Sequence, residues 1–238
     1  MIPIPFFIYV FLLHKYIFMI QAVTLKFLKD LKKNNNKSWF DEHRPQFESA
    51  KTDLLFLVDQ LIPGIAAFDP PIVNLTAKEC VFRINRDVRF SKDKSPYKSN
   101  MSCYFNKAGK KGNGAGYYLH IEPGKSFAAG GIWMPTAPDL AKIRQEIDYS
   151  FNEWKKITGS SAFKKQFAKG LDNNDVLTRP PKGYDENNPA IAFLKMKSFV
   201  VRKSFTDAEV QSRSFVKEVT TTFLAIKPLI GFVNKAVD

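Results

Sequence analysis

The sequence predicts an α+β protein, an antiparallel β-meander flanked by N-terminal and C-terminal helices. Apolar residues recur at helical spacing near both ends of the chain, and they alternate with polar ones in the middle. Successive alternating runs are joined by Gly-rich or Pro-Gly turns, most of them too short for parallel crossovers. The chain has 238 residues, 45% apolar and 25% charged. That composition excludes a disordered or collagen-like protein, and the length suits one domain with a substantial core.

Each element follows in order. Leu25, Phe27, Leu28 and Leu31 predict a short amphipathic helix over 24–33, ended by Asn34-Asn35-Asn36. Ser38, with Asp41 three residues on, reads as an N-cap. Phe40, Phe47, Ala50, Leu54, Leu57, Val58 and Leu61 then line one helical face, with Pro45 marking a kink or restart and Pro63-Gly64 a stop. Strands are predicted over 81–90, 101–106, 117–122 and 127–134, with 107–116 as a mobile tip. Thr136 with Asp139 caps a helix carrying Leu140, Ile143, Ile147, Phe151 and Trp154. A short helix over 162–171, a loop over 178–189 and a β-like stretch within 196–205 follow. Thr206 with Glu209 is predicted to cap a long final helix.

Residues 1–18 are read as an apolar extension outside this fold, and 19–238 as the single domain. The run 1–20 is barely long enough to span a bilayer and contains Lys15. As a secretory signal it lacks both a preceding positive charge and a small-x-small cleavage site. Translation starting at Met19, a membrane anchor through 1–20, and a cleaved signal remain the three readings. The first implies a cytoplasmic protein. Lys and Arg number 36 against 23 acids, a net charge of +13, so an anionic partner, nucleic acid or a phosphorylated metabolite, is expected.

The chemically dense stretch is FRINRDVRFSKDKSPYK at 82–98. On a strand, Arg83, Asp87 and Arg89 would share one side, the carboxylate orienting two guanidiniums toward an added anion. Arg86 is the one charged residue on the apolar side. Lys92, Lys94, Tyr97 and Lys98 complete the candidate ligand set. The competing reading is a salt-bridge lattice that merely orders the surface. This string resembles the signature of the family grouped as domain of unknown function 2461 (DUF2461), conserved proteins of bacteria and fungi. NNNKSWF at 34–40, GYYLHIEPG at 116–124, GGIWMP at 130–135 and GYDENNPAIAFLKMKSF at 183–199 resemble it too. The resemblance spans 25–238. It implies a single globular unit and supplies no activity, so no residue is carried over as catalytic.

Tyr118, His120 and Glu122 alternate along one strand and share a face. With Asp87, His120 and Glu122 are the acid–base candidates of an alternative, enzymatic reading; the bland reading is a surface histidine beside a turn acid. Tyr97, Tyr104 and Tyr118 are candidate stacking surfaces, although most of the 22 Phe fall on apolar faces. AGKKGNGAG at 108–116 lacks the order of a phosphate loop, though its two lysines remain candidates for touching a polyanion. Cys80 and Cys103, with three histidines, make neither a disulfide framework nor a zinc site. No metal or cofactor is expected.

Overall fold

Helix α1 (Ala22–Lys33) forms where Leu25, Phe27, Leu28 and Leu31 fall on one buried face. The computed structural model describes residues 19–238; the apolar extension 1–18 lies outside the described residues. The first turn of α1 has no cap of its own. Instead Asp53, in helix α3 (Arg44–Ala66), accepts from the Gln21 N–H at 2.8 Å and the Thr24 hydroxyl at 2.6 Å. A donor left orphaned at one helix start is thus satisfied by the neighbouring helix.

Helix α2 (Lys37–Glu42) is capped by Asn36, not by Ser38: the Asn36 side chain accepts from the Trp39 N–H at 3.0 Å. The helix begins two residues earlier than expected, which leaves the Ser38 hydroxyl inside the first turn. Pro45 sits in the first turn of α3, where its missing N–H costs no hydrogen bond, so it marks a restart after His43. Pro63 does not stop α3, which continues to Ala66. Burial of Ile62 and Ile65 overrides the local penalty. A 3-10 turn (Pro70–Asn74) leads to α4 (Ala77–Cys80), capped reciprocally by Thr76 and Glu79.

The strand expected over 81–90 does not form. Alternation survives, with Ile84 buried and Arg83, Asn85, Asp87 and Arg89 exposed. Only isolated bridges connect it, Val81 to Cys103 and Asn85 to Tyr97. The chain folds back on itself, Lys98 N–H donating to Ile84 O at 2.8 Å and Arg86 N–H to Pro96 O at 2.9 Å. Pro96 has no N–H to extend that ladder, and the inward Arg86 side chain demands polar partners that a regular strand would deny it.

Strands β1 (Met101–Phe105), β2 (Gly116–Ile121), β3 (Ser126–Ile132) and β4 (Phe199–Phe205) make an antiparallel sheet in that order. The fold is therefore α+β, with helices before and after the meander. The segment between β1 and β2 is not a loose tip. Its 3-10 turn (Gly109–Lys111) lies on α4, where Lys110 Nζ donates to Lys78 O and Glu79 O, and Asn234 accepts from the Ala115 N–H.

Thr136 accepts from the Asp139 N–H and starts α5 (Ala137–Tyr149); a break at Ser150 hands Trp154 to a separate helix, α6 (Phe151–Gly159). Helices α7 (Ser161–Gln166) and α8 (Ile191–Leu194) flank the predicted loop. The Thr206–Glu209 box caps only a one-turn helix, α9 (Asp207–Val210). The long helix α10 (Phe215–Val237) starts later, because Ser212 and Ser214 spend their hydroxyls on each other and on local backbone. Its buried Val219, Phe223, Ile226 and Ile230 join the inner sheet residues Phe105, Tyr117, Leu119 and Val201 in one core that also takes in α1 and α3. At Gly130 a Cβ would stand 2.7 Å from Ile226, so α10 lies directly on β3. Among the described residues no helix is long and apolar enough to cross a membrane.

Candidate functional site

Antiparallel register decides what shares the outer sheet face. Ser102, His120, Phe127 and Ser204 form one row, and Tyr104, Tyr118, Ala129 and Arg202 the next. The Tyr118 phenol oxygen lies 3.0 Å from His120 Nδ1, and His120 Nε2 lies 3.2 Å from Glu122 Oε2. Lys32 of α1 donates to the other Glu122 oxygen at 3.1 Å. Burial favours a protonated Glu122, but the hydrogen bonds and charges of His120 and Lys32 outweigh it and hold the carboxyl below its ordinary range. Burial pushes His120 down, only partly offset by Glu122. A neutral His120 therefore donates from Nε2 to the carboxylate and accepts the Tyr118 hydroxyl proton at Nδ1.

The same rows build an aromatic surface. His120 stacks on Phe127 with centroids 4.7 Å apart, and Tyr118 lies 5.7 Å from Phe127. The Arg202 guanidinium sits 4.7 Å from the Phe127 centroid and is paired with Asp172 at 2.7 Å. Above lies a cleft of about 670 Å³ lined by Tyr104, Tyr118, Phe127 and Arg202 and bounded by the segment through Trp133, Met134 and Thr136. Trp133 is 67% exposed there. Met134 adopts φ 45°, a left-handed backbone held by its N–H bond to Ser198 Oγ at 2.9 Å.

A second cleft of about 550 Å³ lies between α3 and residues 81–102. Six basic residues line it, Arg44, Lys51, Lys78, Arg83, Lys98 and Lys110, and among the described residues no carboxylate does. Arg44 and Lys51 are neutralised by Asp41 and Glu48. The other four form no ion pair among the described residues. Lys98 and Lys110 donate to backbone carbonyls. Burial and the Arg83 charge hold the Lys98 ammonium below its ordinary range.

The candidate residues divide accordingly. Arg83, Tyr97 and Lys98 line the basic cleft and Tyr118 the aromatic one. Tyr97 is buried, its ring stacked 3.9 Å from Phe40. Arg83 and Arg89 do not share Asp87. Arg89 alone grips both Asp87 oxygens, at 3.0 and 2.7 Å, out in solvent. Arg86 binds Asp93, Ser95 O and Ser91 Oγ. Lys92 is exposed, and Lys94 donates to Val88 O. Asp87 is thus not brought to His120 and Glu122. Phe127, Arg202 and Lys78 are absent from the residues expected at a site, and Phe82 enters only as the first residue of the dense stretch. Strand alternation marks Phe127 and Arg202 as face residues, but register alone places them beside Tyr118. Nothing in the sequence singles out Lys78. Among the described residues no group of three His, Cys, Asp or Glu side chains is placed to hold a metal ion.

Fold and clefts together define an α+β protein with an open, aromatic outer sheet face beside a cationic groove. A family model described as a conserved hypothetical protein, DUF2461, matches residues 23–232, and the chain belongs to that family. Comparison with curated proteins and with solved structures finds no match.

Proposed function

We propose that this protein binds an anionic, phosphorylated ligand in the cleft between α3 and residues 81–102. The observation that carries the reading is the cluster of Lys78, Arg83, Lys98 and Lys110 around one concavity, none of them in an ion pair among the described residues. Cations held close together repel one another, and a phosphate that joins them supplies several acceptors at once. The cleft's volume falls in the range of small-molecule sites, which favours a phosphorylated metabolite over nucleic acid. Two unpaired, buried cysteines accord with a reducing, cytoplasmic setting.

Calorimetric titration with inorganic pyrophosphate tests the reading. Arg83→Ala and Lys98→Ala should each weaken binding about tenfold, as expected for lost charge-assisted hydrogen bonds. Absence of binding, or affinity indifferent to the paired substitution, removes it.

A second reading, an enzyme acting on an anionic substrate, is favoured by the Glu122–His120–Tyr118 chain. Under it the cationic groove holds the anion, and the Tyr118 hydroxyl, backed by His120, moves a proton in the aromatic cleft. Tyr118→Phe would then remove turnover and spare affinity.

A further inference from the structure

The two clefts are neighbours, for Phe82 and Lys110 line both. Phe82 is the step between them: Lys98 Nζ lies 5.6 Å from its centroid, and its ring lies 6.4 Å from that of Tyr118. Tyr118 in turn lies 5.7 Å from Phe127. A path of short steps thus runs from ammonium to aromatic floor. The chemistry changes along it, from cationic at one end to flat and apolar at the other.

We infer that the pair of clefts takes one ligand, a nucleoside monophosphate. Its base lies against Tyr118 and Phe127, and its phosphate reaches Lys98 and Arg83 past Lys110. The inference rests on the anion reading of the basic cleft and adds the identity of the attached group. Three features carry the addition. The floor is assembled before any ligand arrives: Tyr118 is held by His120, and His120 is stacked on Phe127. A platform so fixed loses little freedom on binding, and every base has a π-face to lay on it. Tyr104, its ring lying over Gly116 and its hydroxyl donating to Gly114 O at 3.1 Å, extends the fixed floor. Finally, the rim at Trp133 and Met134 combines an exposed indole with a left-handed backbone, a strained arrangement of the kind that surrounding structure maintains at binding sites. The volume suits a single base and sugar.

Calorimetry on the full chain with inorganic phosphate, ribose 5-phosphate and adenosine 5′-monophosphate tests it. The nucleotide should bind about tenfold more tightly than ribose 5-phosphate, the increment expected for one stacked base. It should also quench tryptophan emission, and Trp133→Phe should remove that quenching. Phe127→Leu should erase the nucleotide's advantage and leave ribose 5-phosphate affinity unchanged. Equal affinities for the two, both dependent on Arg83, overturn this inference and leave the anion site standing. No binding of any of the three phosphates removes both. Binding of a single-stranded RNA oligonucleotide without binding of the mononucleotide overturns it in favour of a polymer. The comparison among ligands needs no variant, so a misfolded substitution cannot blunt it.

Discussion

Tyr118 and His120 stand two residues apart on one side of β2, the phenol oxygen 3.0 Å from Nδ1, with Glu122 closing on Nε2 at 3.2 Å. The two-residue repeat of a strand has become a chain of hydrogen bonds. Its members titrate in ways that stability measurements register.

Both His120 and Glu122 have folded pKa values below their ordinary ones of 6.5 and 4.5. In each case the unfolded chain binds its proton more readily, so the contribution is complete above the unfolded pKa and declines as pH falls through the folded one. Stability should therefore begin to drop just below pH 6.5 and drop again below 4.5. Urea melts across this range are expected to lose the upper step in His120→Gln. An unchanged upper step would assign it to another group.

Asp53 behaves in the opposite sense. Burial raises its pKa, and the bonds from Thr24 and Gln21 only partly offset this. A raised carboxyl favours the fold below its unfolded pKa of 3.8, and that advantage is lost as pH rises through the folded value. Asp53→Asn keeps an acceptor for both donors without the charge, so at neutral pH it should equal or exceed the parent. Asp53→Ala should cost about 1–2 kcal/mol, the loss of a cap. Thermal melting of the two variants decides the order.

Two glycines with positive φ separate strain from crowding. At Gly131, φ 120°, a Cβ would meet Phe199 O at 1.9 Å; at Gly124, φ 73°, it meets nothing. Gly124→Ala should cost about 1–2 kcal/mol from backbone conformation alone. Gly131→Ala should cost upwards of about 3 kcal/mol, because β3 and β4 must separate. Similar values in chemical denaturation would contradict the strand spacing.

Arg83 and Arg86 should part company. Arg83 is exposed and makes no side-chain hydrogen bond among the described residues, whereas Arg86 holds Asp93, Ser95 O and Ser91 Oγ. Arg83→Ala should weaken pyrophosphate binding and leave the melting temperature in place. Arg86→Ala should cost about 1 kcal/mol by freeing a half-buried carbonyl. A large loss of stability in Arg83→Ala would make that residue architectural.

Cys80 and Cys103 should resist thiol reagents in the native protein. Burial pushes the Cys80 thiol up to about 12 and raises Cys103 well above its ordinary range, so almost no thiolate exists. Labelling with a chromogenic disulfide should proceed only at the rate of opening, and rise with urea.

The strands within 101–134 and at 199–205 were legible because alternating burial and Gly turns agree there. Residues 81–90 alternate just as well and are not a strand. Alternation reports that one side is buried, not that a neighbour supplies a ladder, and Arg86 on the buried side was the sign against it. Pro63 and Thr206 misled for a related reason. Each describes a local preference of about 1–3 kcal/mol, while helix limits here follow the burial of Ile62, Ile65 and Phe215. Within the site, the shared face of Tyr118, His120 and Glu122 follows from spacing alone. Phe127 and Arg202 required register, and Lys78 required the docking of α4 beside the hairpin.

Helix α10 touches α3, α5, α6, α7, β2 and β3. It is also translated after every element it packs on. Until residues 215–237 emerge, the hydrophobic sides of the N-terminal helices and of the meander lack the element that joins them. Nascent chains would then depend on chaperone shielding until that helix is available.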